Sequence, residues 1–319
     1  MACLHPIKIR NKRYTSNSDV EFANQVCDFY NSLGYVNPPD KFIEVPCGKC
    51  FGCLKSKRNG WRIRLCAEFF ANPDAAAFIT LTFDDVSLGR FKDNPNKAIR
   101  LFLDRFRKVY APGVKHFIAA EFGEKNGRLH YHGLLFNLMR NVPLDCDMLS
   151  KLWTYGYVYI GYCNQKTINY VSKYITKMPP PGCKLPRLIV SKGMGKVFLD
   201  TYGLELSNNF KPYISSNGYK ISLPRYYIDK LFDKATRVCM QYYQSLQPFV
   251  RYVDGRKYVD IYSYRKALSD YYAKLKSIYI LDVTHYSMNR EFEKDTDLDG
   301  FFDDPFNIVY PDDFSVTPF

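Results

Sequence analysis

The segment KHFIAAEFGEKNGRLHYHGLLF, residues 115–136, decides the fold. Lys115–Phe122 and Leu129–Phe136 are rich in aromatic and branched apolar residues, and each has the length of a strand. Asn126-Gly127 between them is a strong hairpin signal, because tight two-residue turns need positive φ at both positions. Two antiparallel strands joined by a short turn are expected. His130 and His132 are one residue apart, and on a strand residues i and i+2 share a face. The partner strand brings Glu121 to that face. With Asn126-Gly127 as the loop residues it lies opposite His132; with the turn centre moved back it lies opposite His130. Directly opposed Cβ atoms are roughly 5 Å apart. Two imidazoles and one carboxylate leave open positions for water or a phosphate oxygen, a donor set that suits Mg²⁺ or Mn²⁺ without excluding Zn²⁺. His5, His116 and His285 have no comparable setting.

The flanking sequence supplies the rest of a mixed fold. Phe78-Ile79-Thr80-Leu81-Thr82-Phe83 alternates β-formers and reads as a strand, as does Tyr155–Tyr162. Trp61, Leu65 and Phe69, at spacing four, predict a helix over 61–70. Asn96 as a cap, followed by the stripe Ile99, Phe102, Leu103 and Phe106, predicts another. A short helix is expected near Leu144–Trp153. Pro212–Leu223 reads as a further hairpin with Asn217-Gly218 at its turn. From Pro224 to about Ile280 the chain is helix-like and dense in Tyr, Lys and Arg.

Asn164 is placed to cap a helix over Gln165–Met178, which Pro179-Pro180-Pro181 ends. At about 100° per residue, Tyr170, Lys173, Tyr174 and Lys177 fall within one face about 100° wide. Two phenols and two ammonium groups make an unusual core, because Lys is rarely fully buried. Ile168, Val171 and Ile175 can pack inward instead. Beside a metal site such a face is equipped to cut DNA. A tyrosine hydroxyl attacks phosphorus while the ion polarises the phosphoryl oxygen. A phenol with a pKa of about 10 needs a nearby cation to ionise. Lys173 or Lys177 can fill that role, or stabilise charge in the transition state. Among 27 tyrosines a pair four apart arises by chance, so this pair draws its weight from following the histidines.

Together these segments resemble the replication initiators of gokushoviruses, small single-stranded DNA phages of the microvirus group, within the HUH endonucleases (U being a hydrophobic residue). The resemblance rests on Phe78–Phe83, on His130-Tyr131-His132 with Glu121 nine residues upstream, and on Tyr170-Val171-Ser172-Lys173-Tyr174-Ile175-Thr176-Lys177. The cysteine block with Trp61-Arg62-Ile63-Arg64, and Leu223-Pro224-Arg225-Tyr226-Tyr227, are also similar; the likeness spans about Pro46 to Leu231. The U position is Tyr131, expected to pack behind the metal-bearing strand. The resemblance implies an α+β fold, a central antiparallel sheet flanked by helices with a helical C-terminal extension. It implies nicking at a phage origin, a 5′-phosphotyrosyl link with a free 3′-OH, rolling-circle synthesis and rejoining. Tyr170 is expected to attack first and Tyr174 to alternate with it.

Composition agrees with a polyanionic partner. The chain of 319 residues is 46% hydrophobic and 17% aromatic, with a formal charge of +13. From Glu291 to Phe319 nine acidic residues face one lysine, a net of −8, so the first 290 residues carry +21. Basic and aromatic residues interleave through that body, which suits stacking on unpaired bases. Single-stranded and origin DNA are the expected partners, with a host helicase and polymerase as candidate protein partners. The tail reads as solvated, with Phe301, Phe302, Phe306 and Tyr310 as apolar points for docking.

Met1–Arg13 is polar and no stretch approaches the roughly 20 apolar residues of a membrane span, so no membrane role and a reducing host cytoplasm are expected. Cysteines are then thiols or ligands. Cys47-Gly48-Lys49-Cys50-Phe51-Gly52-Cys53 holds two C-x-x-C units sharing Cys50, able to wrap a structural Zn²⁺ with Cys66 as the nearest fourth ligand. Lys49, Lys55, Lys57, Arg58, Arg62 and Arg64 make this segment basic. The expected division is an arm over 1–45, a nuclease domain over 46–223, a basic helical region over 224–290 and the acidic tail. The competing reading is a zinc-supported domain that grips single-stranded nucleic acid without cutting it.

Overall fold

The computed structural model describes residues 3–10, 42–110, 113–123, 127–139, 142–176, 183, 186–216, 219–234, 236, 237, 240 and 248–286. Asn126, Lys177, Pro179-Pro180-Pro181, Asn217-Gly218 and the acidic tail lie outside them. The chain divides into two units, with boundaries after Ser56 and before Pro248. The N-terminal strand residues, the cysteine block and the segment from Pro248 group together, where the sequence suggested three separate regions.

Strands β1 (Ile7–Arg10) and β2 (Phe42–Val45) pair antiparallel in the first unit. Helix α1 (Phe51–Ala71) starts there and crosses the boundary. It begins ten residues before the expected helix, directly after Cys50. In the second unit come β3 (Ala76–Phe83), α2 (Asp85–Arg90), α3 (Pro95–Val109), β4 (Lys115–Phe122) and β5 (Leu129–Phe136). They are followed by α4 (Cys146–Leu152), β6 (Gly156–Tyr162), α5 (Gln165–Lys173), β7 (Ile189–Val190) and α6 (Val197–Asn208). The hairpin β8 (Tyr213–Ser216) and β9 (Tyr219–Ser222) and helix α7 (Arg225–Leu231) complete this unit's elements. The first unit resumes with β10 (Arg251–Val253), β11 (Arg256–Tyr258) and α8 (Ile261–Tyr286).

The fold is α+β. Five strands form an antiparallel sheet in the order β6-β3-β5-β4-β7, with helices on both faces. One face carries Ile79, Leu81, Ile118, Tyr131 and Leu135, packed on Ile99, Phe102, Leu103 and Phe106 of α3 and on Leu149 and Leu152 of α4. Pro95 holds the first position of α3, so Asn94 and not Asn96 precedes the helix. The Asn96 side chain instead accepts from the Tyr131 hydroxyl at 3.0 Å and donates to the Arg187 carbonyl at 2.8 Å. Tyr131 therefore packs behind the histidine strand with its buried hydroxyl satisfied. On the other face Phe78, Phe117 and Leu134 meet Leu65 and Cys66 of α1 and Ile168 and Val171 of α5. A third core joins Ile63 to Phe198, Leu206 and Tyr227.

His116 is a buried histidine of β4 whose Nδ1 lies 2.8 Å from the Ser191 hydroxyl. Burial first, then the Arg107 charge, brings its pKa down from 6.5 to about 4. Between those values the unfolded chain binds a proton that the folded chain refuses, so stability falls as pH drops through this window. The loss totals on the order of 3 kcal/mol at its lower end. Thermal melts from pH 7 to 4 should show a smaller drop in midpoint for His116→Gln than for the parent chain.

Candidate active site

Strand register assembles the first part of the site. β4 and β5 pair so that Glu121 faces His130, the second of the two alternatives, and Ala119 faces His132. β3 pairs on the other side of β5, setting Thr80 opposite His132 and Thr82 opposite His130. One Glu121 carboxylate oxygen, Oε2, lies 3.1 Å from His130 Nε2 and 2.9 Å from His132 Nε2. Each imidazole is steered through its other nitrogen. His130 Nδ1 donates to the Arg128 carbonyl at 3.1 Å, and His132 Nδ1 lies 3.0 Å from the Thr80 hydroxyl. Arg128 is itself held, donating to the Phe83 carbonyl at 2.8 Å and pairing with Asp85.

This donor set fits a divalent cation. A carbonyl only accepts, so His130 carries its proton on Nδ1 and turns the Nε2 lone pair toward the carboxylate. Lone pairs of two imidazoles converging on an anionic oxygen repel unless a positive charge joins them. Separations of 2.9 and 3.1 Å also match adjacent ligand positions of an octahedral ion with bonds of about 2.1 Å. Glu121 and His132 are buried and His130 is half-buried, so the ion would meet solvent from the His130 side.

Helix α5 supplies the phenols. Asn164 and Thr167 form a reciprocal capping box at its start, and Ile168 and Val171 are buried against the sheet. The helix ends at Lys173, five residues earlier than expected. Tyr174, Ile175 and Thr176 continue it as tighter turns, their amides bonding the carbonyls three residues back. This brings the Tyr174 ring flat onto His132, with centroids 4.6 Å apart and planes 8° apart. Tyr170 stands edge-on to His132 at 5.4 Å and to Tyr174 at 5.2 Å.

The two tyrosines are not equivalent. Tyr170 is 44% exposed and Tyr174 only 7%. Burial above all, then contact with Tyr170 and the Glu121 carboxylate, raises the Tyr174 pKa far above that of a free phenol. Lys173 closes the helix, half-buried, and Lys177 lies outside the described residues.

The cysteine block gathers elsewhere, in the first unit. Cys47, Cys50 and Cys53 meet Cys3, the four sulfurs lying within 4.8 Å of one another. Cys66 is not among them. It shares α1 with Cys53, but thirteen residues on, which is about 20 Å along the axis. It is buried instead in the core between α1 and the sheet. Nothing in the spacing of Cys3 marks it as a partner of residues so far along the chain.

Thr80 and the tyrosines of β6 were not foreseen as site residues. Tyr157 and Tyr159 pair with Thr82 and Thr80, which places both on the histidine face. They are 71% and 57% exposed. Their alternation in YVYIGY was visible in the sequence, but which face they take depends on register.

Sequence comparisons agree with this assembly. The model of a family of phage-type replication proteins, described as replication-associated protein ORF2, matches residues 76–179, the span from β3 past α5 that holds every residue of the His–Glu–Tyr site. The replication-associated protein ORF2 of Spiroplasma virus 4 is 28% identical over 274 residues, covering 73% of this chain and 80% of that one. Replication-associated protein ORF4 of Chlamydia phage 1 is 24% identical, covering 75% and 64%. Replication-associated protein A of Enterobacteria phage phiX174 is 29% identical over a shorter stretch, 39% of this chain and 30% of that one. These matches bear out the resemblance to gokushovirus-type replication initiators.

Thr80→Val removes the hydrogen-bond partner of His132 Nδ1 while keeping the side chain's shape. Calorimetric titration with Mn²⁺ should show affinity reduced by roughly 10- to 100-fold, with the fold intact by circular dichroism.

Proposed function

We propose that this protein initiates phage DNA replication by nicking single-stranded origin DNA through tyrosine transesterification. The observation that carries the reading is that both phenol rings lie against His132, at 4.6 and 5.4 Å, beside the Glu121–His130–His132 donor set. Those three residues would hold Mg²⁺ or Mn²⁺. The bound ion supplies Lewis-acid polarisation of the scissile phosphate. Tyr170, the exposed phenol, is the first nucleophile. Its oxygen bonds to phosphorus as the bond to the 3′-oxygen breaks, and the phenolic proton is lost while the departing oxygen gains one. The products are a 5′-phosphotyrosyl link and a free 3′-OH for a polymerase to extend. One phosphoester replaces another, so the step is near thermal balance and reverses to rejoin the strand. Tyr174 is the second nucleophile for that later transfer. Lys173 and Lys177 supply positive charge to phenolate and phosphate.

The sheet offers a path for the unpaired strand. Across it run the rows Tyr157–Thr82–His130 and Tyr159–Thr80–His132, so the β6 tyrosines stand two strands, about 10 Å, from the histidines. Tyr159 leans over Gly161, where a Cβ would come within 3.2 Å of its ring, and lies 6.2 Å edge-on from Phe78. Exposed rings on the reactive face suit bases flanking the scissile phosphate. A host helicase and polymerase are the protein partners this role calls for.

The test is a labelled single-stranded origin hairpin incubated with Mn²⁺ and resolved under denaturing conditions. The protein should form a covalent adduct that peptide mapping assigns to Tyr170. Tyr170→Phe should abolish the first adduct, Tyr174→Phe should spare it but block strand transfer, and His132→Ala should slow nicking by at least about 100-fold. Binding without adduct in Mg²⁺ or Mn²⁺ would support a non-cutting nucleic-acid binder instead. Separately, Tyr157→Ala and Tyr159→Ala should each weaken binding of single-stranded DNA by roughly 1–3 kcal/mol, read by fluorescence anisotropy.

A further inference from the structure

The first unit has little to hold it together. Its β1–β2 and β10–β11 ladders are two-stranded and short, a form of marginal stability in water. Ile7, Ile9 and Ile43 are 50%, 36% and 39% exposed. None of the three apolar cores includes a described residue of this unit. Two of the side chains it does bury are Cys3 and Cys53. Domains with too small a core commonly depend on a metal or a disulfide.

The sulfurs are arranged as ligands. Cys47 and Cys53 Sγ lie 4.0 Å apart and Cys3 and Cys50 Sγ 3.9 Å. A disulfide is about 2.05 Å. A tetrahedron of sulfurs about 2.3 Å from a central zinc has edges of about 3.8 Å. Backbone amides point at three of them: Cys47 N–H at Cys3 Sγ (3.3 Å), Cys50 N–H at Cys47 Sγ (3.3 Å) and Leu4 N–H at Cys50 Sγ (3.4 Å). Such donors stabilise thiolates and orient them. Gly48, at φ +73°, makes the turn that lets the Cys50 amide reach back to Cys47.

We propose that Cys3, Cys47, Cys50 and Cys53 bind one structural Zn²⁺, and that this site stands in for the missing core of the first unit. Binding releases the thiol protons and leaves four thiolates on the ion. It closes a 44-residue separation between Cys3 and Cys47, tying the start of the chain to the first turn of α1. Four soft sulfur donors in a closed tetrahedron select zinc over the hard cation proposed for the histidine site.

The experiment uses the full chain carrying His130→Ala and His132→Ala, so that the other donor set takes no zinc and the outcome is independent of nicking. One zinc per chain should survive dialysis, and zinc-edge X-ray absorption should show four sulfurs at about 2.3 Å. Adding Cys3→Ser should remove the tightly held zinc and lower the melting temperature, whereas Cys66→Ser should retain the metal. Cobalt substitution should give a thiolate-to-metal charge-transfer band. If Cys3→Ser fails to fold, X-ray absorption on the four-cysteine chain decides by itself. Nitrogen or oxygen ligands, iron in place of zinc, a disulfide among these residues on mapping without reduction, or zinc held undiminished by Cys3→Ser would each overturn the proposal.

Discussion

The pairing register of β4 with β5 is the constraint on which the rest depends. A strand repeats every two residues, so a slip of one would turn His130, His132 and Glu121 to the α3 face and Tyr131 to the α5 face. The same slip would pull Ile118 and Leu135 out of their core. Register here is fixed by burial on both faces, and the donor set is held in place by the hydrophobic pattern around it. The chain therefore cannot keep its core and lose the geometry of these three residues.

Each sheet face then has its own task. Toward α3 and α4 the side chains are apolar or, like Tyr131, fully satisfied. Toward α5 the same strands begin apolar, with Phe78, Leu134 and Phe117 beneath the helices, and become polar toward the hairpin end, with Thr80, His132, Glu121 and His130. The functional cluster thus sits at the margin of a packed layer. That setting buries Glu121 and His132 enough to strengthen their electrostatics and leaves His130 and Tyr170 within reach of a polymer.

Much of this was legible in the sequence. Both central strands coincide with their expected bounds, because aromatic and branched residues over eight positions leave little alternative. Asn164 caps α5 as its spacing with Thr167 implied. Asn94 displaced Asn96 as the residue before α3, since Pro95 fixes the first helical position. The early end of α5 was hidden, because it follows from Tyr174 seating on a ring that register alone places. The β10–β11 hairpin was present as Asp254-Gly255, both at positive φ, within a stretch whose Tyr, Lys and Arg content reads as helical. Cys3 could not be found by spacing: a ligand 44 residues from its neighbour is brought in by the fold.

The three donors come from one hairpin, whereas the phenols come from a helix that rests on it. The supports of the donors, Thr80, the Arg128 carbonyl and the β4–β5 ladder, all belong to the sheet and its turn. Holding charge and presenting a nucleophile are thus separate mechanical parts. The helix can rotate, slide or exchange one ring for the other while the grip on the ion stays as it was, and changes that retune strand transfer can accumulate on α5 without unmaking the centre beneath it.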